Sequence, residues 1–198
     1  HGAVDPSFTN DRCSFWHFRF EAHADMKMKA LTDWIETKND IKKIYLINQD
    51  YSFGKSVART AREMLKEKRP DIEIVGTDFH PLGKVKDFTP YVSKIKASGA
   101  DAVITGNWGQ DITLLVKSAA EFGLDIPFLT YYGGSPGVVS QLGEKGVDRI
   151  YNIYGYYGDT EVKEIANRQK RMYAEKDWDY FLYYPRITVM LEMLQKPA

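Results

Sequence analysis

The stretch KIYLINQDYSFGKSVARTAREMLKEK, residues 43–68, decides the fold. Its first six residues form the short apolar run that is typical of a buried strand. From Gly54 onward, apolar side chains recur at Val57, Ala61 and Leu65, which is the spacing of one face of an α-helix. A strand that passes through a short turn into an amphipathic helix is the repeating unit of α/β proteins. The stretch therefore predicts a fold of this class.

The same unit recurs on either side of this stretch. Further strands are predicted at residues 72–79, 101–106, 126–131 and 149–156. Further helices are predicted at residues 24–37, 88–97, 112–122 and 138–142. Five strands separated by helices predict a doubly wound parallel sheet with helices on both faces. After Gly158, two helices at 161–176 and 183–195 follow each other without a strand, so we expect them to belong to a second body.

Composition narrows the classes of function. Lys and Arg together number 27, as do Asp and Glu, so the formal net charge is zero. Nucleic-acid-binding domains usually carry a basic face, and polybasic membrane-surface segments need excess Lys or Arg, so we expect neither partner. The single cysteine, Cys13, excludes an internal disulfide bond. Residues 1–6 lack the basic start and the apolar stretch of a signal peptide, so we expect the leader of an exported protein to be removed or to lie upstream.

Two motifs resemble enzyme signatures but lack essential parts. The run GGSPG at 133–137 matches a nucleophile elbow, yet the residue after Ser135 is Pro136, which has no N–H for an oxyanion, and every histidine precedes the serine. The run GKS at 54–56 resembles the end of a P-loop, but Gln49 replaces the first glycine. No cysteine or histidine pair has zinc-site spacing. We predict no catalytic residue, metal site or cofactor.

Aromatic residues stand where four of the five predicted strands end. Ligands bind outside the carboxyl ends of the strands in open parallel sheets, and the helix N-termini there favour anions. Tyr51 and Trp108 are predicted to stack on a ligand, and Tyr131 and Tyr132 to offer hydroxyl groups. The alternative is that these rings pack in the core or at a hinge. The predicted ligand-binding residues at this edge are Tyr51, Asn107, Trp108, Tyr131, Tyr132 and Ser135.

Four segments in register also carry a family likeness. They are FWHFRF at 15–20, NQDYSFG at 48–54, KDFTP at 86–90 with IKASGAD at 95–101, and EFGL at 121–124. In this order they resemble type I periplasmic solute-binding proteins of the branched-chain amino-acid (Leu/Ile/Val) ABC importer class. The likeness spans about residues 13 to 194.

This resemblance implies two α/β lobes that close on a solute. Residues 1–14 are then the end of lobe 1 and a hinge crossing, 15–153 form lobe 2, and 154–198 contain the hinge return and C-terminal helices of lobe 1. The chain is expected to be a fragment of such a protein. It also implies a monomeric periplasmic or lipid-anchored extracellular protein that delivers a small molecule to a membrane permease. A ligand-sensing domain of a receptor or transcription regulator with the same fold is the alternative.

The resemblance also adds two residues to the argument about the ligand. The tyrosine of a lobe 1 helix in the family matches Tyr184, which joins the predicted ligand-binding residues. The acid that holds an amino acid's ammonium group falls on Tyr132 in this sequence. An ammonium without that partner is costly to bury. We therefore expect an aromatic or other organic acid, or a neutral amide, rather than an aliphatic amino acid.

Overall fold

The computed structural model describes residues 4–135, 137–154, 167, 171, 174 and 184–195, and for 184–189 it describes the backbone alone. Its strands are β1 Lys43–Gln49, β2 Glu73–His80, β3 Ala102–Thr105, β4 Phe128–Thr130 and β5 Ile150–Asn152. Its α-helices are α1 Ala24–Glu36, α2 Ser52–Lys68, α3 Thr89–Ala97, α4 Gln110–Glu121, α5 Val138–Leu142 and α6 Tyr184–Gln195. None of these helices has the length and hydropathy needed to span a membrane.

The strands form one parallel sheet in the order β2-β1-β3-β4-β5. Every residue of β1 after Lys43 is buried, because helices cover both faces of this central strand. The apolar residues at Ile44 and Leu46 point to one face, and those at Tyr45 and Ile47 point to the other. The alternation of a strand therefore supplies two cores from one short segment.

The two cores contain different helices. Helices α1 and α2 pack on one face, where Met28, Leu31 and Val57 are fully buried or nearly so. Helices α3, α4 and α5 pack on the other face around Ile95 and Leu115. Because α2 leaves β1 towards one face and α4 leaves β3 towards the other, the chain diverges at the carboxyl ends of two adjacent strands. Ligands of doubly wound sheets bind at such a point of divergence.

The structure confirms the predicted fold class and all five predicted strands, although β3, β4 and β5 are shorter than expected. The predicted strand 149–156 ends at Asn152 in β5. Its aromatic end at residues 156 and 157 lies outside the described residues. The predicted helix 183–195 is confirmed as α6, and in the predicted helix 161–176 only residues 167, 171 and 174 are described, all of them helical. The lobe boundaries remain a prediction.

The segment before α1 lies against the carboxyl edge of the sheet. The backbone N–H of Ala24 donates to the carbonyl of Val4 at 2.8 Å, and Val4 is part of the core beside α1. A 3-10 helix, Pro6–Thr9, follows, and the Asp5 side chain caps it by accepting from the Ser7 N–H at 3.0 Å. The guanidinium of Arg19 donates to the Asp5 carbonyl at 2.8 Å. These contacts bring the chain's first described residues to the predicted ligand-binding edge.

Candidate functional site

The turns after β1 and β3 are tied together at the point of divergence. The side-chain oxygen of Asn48 accepts a hydrogen bond from the backbone N–H of Gly106 at 2.7 Å, so the ends of the two strands are held in one geometry. At the start of α2, a Cβ on Gly54 would overlap the carbonyl oxygen of Gln49. The helix can therefore begin this close to the end of β1 only because the residue is glycine.

The side chains of Tyr51 and Trp108 meet at this point of divergence. The indole Nε1–H of Trp108 donates to the hydroxyl of Tyr51 at 2.9 Å. Tyr51 immediately precedes α2, whereas Trp108 lies between β3 and α4 and is 44% exposed. Burial raises the pKa of the Tyr51 hydroxyl and the nearby Asp5 carboxylate adds to that rise, although the bond from Trp108 opposes it. Tyr51 thus stays a neutral phenol and presents a polar group beside an exposed indole.

A third ring lies beside them, supported by a phenylalanine. The ring of Phe53 is buried, and its centroid lies 5.9 Å from that of Tyr51 and 6.0 Å from that of Tyr132. Tyr51, Phe53, Trp108 and Tyr132 are called the ring cluster below. Phe53 was not predicted from the sequence, although its place one residue before the closely packed Gly54 directs its side chain towards the sheet. The cluster brings together three of the predicted residues.

A buried ion pair stands behind the ring cluster. The ammonium of Lys27, in the first turn of α1, lies 2.8 Å from a carboxylate oxygen of Glu21, and both side chains are at most 5% exposed. The same ammonium lies 5.1 Å from the centroid of the Tyr132 ring. Burial of its side chain lowers the pKa of Lys27 to about 8. Lys27 is therefore a cation at neutral pH, and it faces the site through an aromatic ring.

Tyr131 points away from the edge and into the core. Its hydroxyl donates to the carbonyl of Ala24 at 3.2 Å, its side chain is almost fully buried, and its ring packs on Phe53 at 5.9 Å. Burial raises the pKa of this hydroxyl strongly, and the Asp25 carboxylate adds to the rise. The expectation that its hydroxyl is presented to a ligand does not match this placement, because β4 ends at Thr130 and the next two side chains diverge.

Asn107 lies beneath Trp108 and has no exposed surface. Neither atom of its side-chain amide has a protein hydrogen-bond partner. In the neighbouring strand, Gln49 donates to a carboxylate oxygen of Asp111 at 2.7 Å, and the N–H of Gly83 donates to the same oxygen at 2.9 Å. Buried amides of this kind usually bind ordered water. The contact of Asn107 with a solute stays a prediction.

Ser135 and Tyr184 are the remaining predicted residues. Ser135 is partly buried in the turn after β4, where its N–H donates to the carbonyl of Tyr132 at 3.1 Å. The hydroxyl of Tyr154 contacts the carbonyl of Gly134, so the same turn is held from β5. Tyr184 begins α6, but its side chain lies outside the described part of the chain.

The groups that the structure brings together at this edge are aromatic and polar. It offers aromatic faces, phenolic and indole polar groups and one buried cation. Within the described residues, no group of three or more His, Cys, Asp or Glu side chains could hold a metal ion. Rings with polar tips bind flat organic molecules through area and one or two directed hydrogen bonds.

The chain is similar in sequence to known binding proteins. A family model described as periplasmic binding protein matches residues 2–189. Leu/Ile/Val-binding protein homolog 4 of Brucella abortus (strain 2308) is 36% identical over 143 residues, which cover 72% of this chain and 34% of that protein. Homolog 7 of Brucella suis biovar 1 is 25% identical over 183 residues, 87% of this chain and 45% of that protein. The chain thus spans less than half the length of these curated relatives.

Solved structures share the fold. A leucine-, isoleucine-, valine-, threonine- and alanine-binding protein from Brucella ovis, in its closed conformation, is 31% identical with a TM-score of 0.78. It is matched over 87% of this chain and 44% of its own. A solute-binding protein of an ABC transporter from R. palustris, in complex with benzoate, has a TM-score of 0.77 at 20% identity. That match covers 88% of this chain and 47% of the other.

Proposed function

The chain belongs to the type I periplasmic binding proteins of the branched-chain amino-acid importer family, and on that premise we propose that its ring cluster captures a small organic solute for import. The observation that carries the proposal is the direct contact of Tyr51 with Trp108 at the divergence of β1 and β3. Capture needs no covalent step, and the relatives described above are named as binding proteins.

In this proposal the chain supplies one binding lobe of a longer protein. Residues 15–153 are lobe 2, and residues 1–14 and 154–198 belong to the hinge and to lobe 1. A solute docks on the ring cluster, the other lobe closes over it, and the closed form is recognised by the membrane permease of an ABC importer. Because Trp108 is an exposed ring at an open edge, its burial on closure stabilises the closed form more than that of any other side chain in the cluster. The protein works in the periplasm, or outside the cell on a lipid anchor.

We propose that the solute is an aromatic or other organic acid, or a neutral amide. Tyr132 and the cation behind it replace the acid that would hold an ammonium group. A carboxylate would instead meet phenolic donors and the positive N-termini of α1 and α2. The flat rings of Tyr51 and Trp108 suit a planar solute.

An aliphatic amino acid is the second candidate, and one contact favours it. The Asp5 carboxylate lies close enough to Tyr51 to raise the pKa of its hydroxyl, so this acid is near that side of the site. Burial raises the pKa of Asp5, but hydrogen bonds from Ser7 and Ser52 and the charge of Arg12 outweigh that effect and lower it. Asp5 is therefore charged, although its carboxylate already accepts hydrogen bonds from Ser7 and Ser52. The names of the Brucella relatives point to the same class of solute.

Calorimetry on the full-length protein tests the proposal. The panel is benzoate, 4-hydroxybenzoate, benzamide and leucine, each titrated into wild type, Trp108→Ala and Phe122→Ala. Phe122 is a matched control because its ring is 38% exposed at the opposite edge of the sheet. Loss of one stacking ring is expected to weaken solute binding about tenfold in Trp108→Ala alone. Tight leucine binding would refute the ligand class, and equal affinity in all three proteins would refute the site.

A further inference from the structure

Lys27 is an unusual residue in the first turn of α1. Lysine is almost never fully buried unless it is paired, and the Lys27 side chain is 5% exposed and paired with Glu21. By contrast, Lys29 of the same helix lies on the exposed face, where it pairs with Asp33 at 3.0 Å. The burial of Lys27 therefore results from its position on the inner face of the helix, next to Ala24 and Met28 in the core.

The charge of Lys27 reaches the site through one ring. Its ammonium stands 5.1 Å from the centroid of Tyr132, and the other surroundings of that ring include Phe53. A cation at this distance is attracted to the ring, and the interaction strengthens where water is excluded. It also draws electron density from the phenol, so the Tyr132 O–H becomes a stronger donor towards an anion. The Glu21 carboxylate holds the ammonium from the other side.

We propose that Lys27 is a specificity-determining residue, which acts through Tyr132 to favour a carboxylate-bearing solute over its neutral amide. This inference rests on the function proposed above and narrows its ligand class to acids. Tyr132 is the group that contacts the solute, and Lys27 sets how strongly that contact prefers negative charge.

A purely structural role for the ion pair makes a different prediction. Replacing a buried pair by uncharged side chains of similar shape is often neutral or stabilising, whereas removing one partner leaves a buried charge. The double variant Lys27→Met with Glu21→Gln therefore keeps the packing and removes the cation. If the pair only holds α1 in place, the double variant binds acid and amide as the wild type does.

The experiment compares benzoate with benzamide, two solutes of nearly the same shape. Calorimetry at pH 7 on the full-length protein gives the ratio of their affinities for wild type, Lys27→Met/Glu21→Gln, and Lys29→Met as the control on the exposed face. We expect the double variant to lower the benzoate preference about fivefold, to leave benzamide affinity within about twofold, and Lys29→Met to change neither.

A second variant keeps the inference testable if the double variant does not fold. Tyr132→Phe removes the hydroxyl through which Lys27 acts, so it is expected to lower the benzoate preference by a similar factor. An unchanged preference in either folded variant overturns the role of Lys27 but leaves solute capture intact. A wild type that binds benzamide as tightly as benzoate also overturns it. Binding of neither solute overturns both this inference and the proposed ligand class.

Discussion

The placement of Tyr131 leads to a prediction that separates folding from binding. In Tyr131→Phe, one buried oxygen is lost while the ring and its contact with Phe53 are kept. The Ala24 carbonyl loses its 3.2 Å hydrogen bond from the tyrosine, but as the first residue of α1 it still accepts the ordinary helical bond. The cost is therefore that of one neutral hydrogen bond, about 1 kcal/mol in the free energy of unfolding.

Urea denaturation and calorimetry measure the two effects. With a urea slope of about 2 kcal/mol per M, a loss of about 1 kcal/mol lowers the unfolding midpoint by roughly 0.5 M. Solute affinity is expected to stay unchanged. Tyr151→Phe is the control, because Tyr151 is 42% exposed on β5, and its change in unfolding free energy is expected to be below about 0.5 kcal/mol. A tenfold loss of affinity in Tyr131→Phe with normal stability would refute the assignment of Tyr131 to the core.

Two further substitutions test how the fold positions the site. Arg69→Met leaves the carbonyls of Ile35 and Ile41 without their buried guanidinium donor. Urea denaturation should therefore show that the free energy of unfolding falls by about 3 kcal/mol or more. The control Arg59→Met, at an exposed position, should lower it by less than about 1 kcal/mol. Gly54→Ala forces α2 away from the end of β1. We expect it to lower the free energy of unfolding, measured by urea denaturation, by about 2 kcal/mol and to weaken solute binding. A normal unfolding midpoint would show that the turn is not closely packed.

The sheet could be predicted from sequence because its strands obey a strong physical rule. A strand covered on both faces must be apolar throughout, and such runs occur at β1, β3 and β4. Glycine and proline between these runs mark where the chain turns. The carboxyl-end position of Tyr51 and Trp108 follows from the order of elements alone, which is why the sequence could place both rings at the same edge of the sheet, although it did not predict their direct contact.

The rest of the site depends on packing that sequence patterns do not contain. Tyr131 and Tyr132 are adjacent and chemically identical, and only the end of β4 at Thr130 decides which one enters the core. Asn107 follows the end of β3 by two residues and is nevertheless fully buried. From the sequence alone, Lys27 would be expected on the surface. Its burial is possible because the carboxylate of Glu21, six residues earlier, pairs with its ammonium.

The most direct test of the account is a crystal structure of the full-length protein with its solute bound. The solute should lie at the carboxyl edge of the sheet, within van der Waals distance (about 4 Å) of the rings of Tyr51 and Trp108 and within hydrogen-bonding distance of the Tyr132 hydroxyl. A solute bound anywhere else, or a ring cluster covered by protein in both open and closed forms, would contradict the claim that this edge is the binding surface.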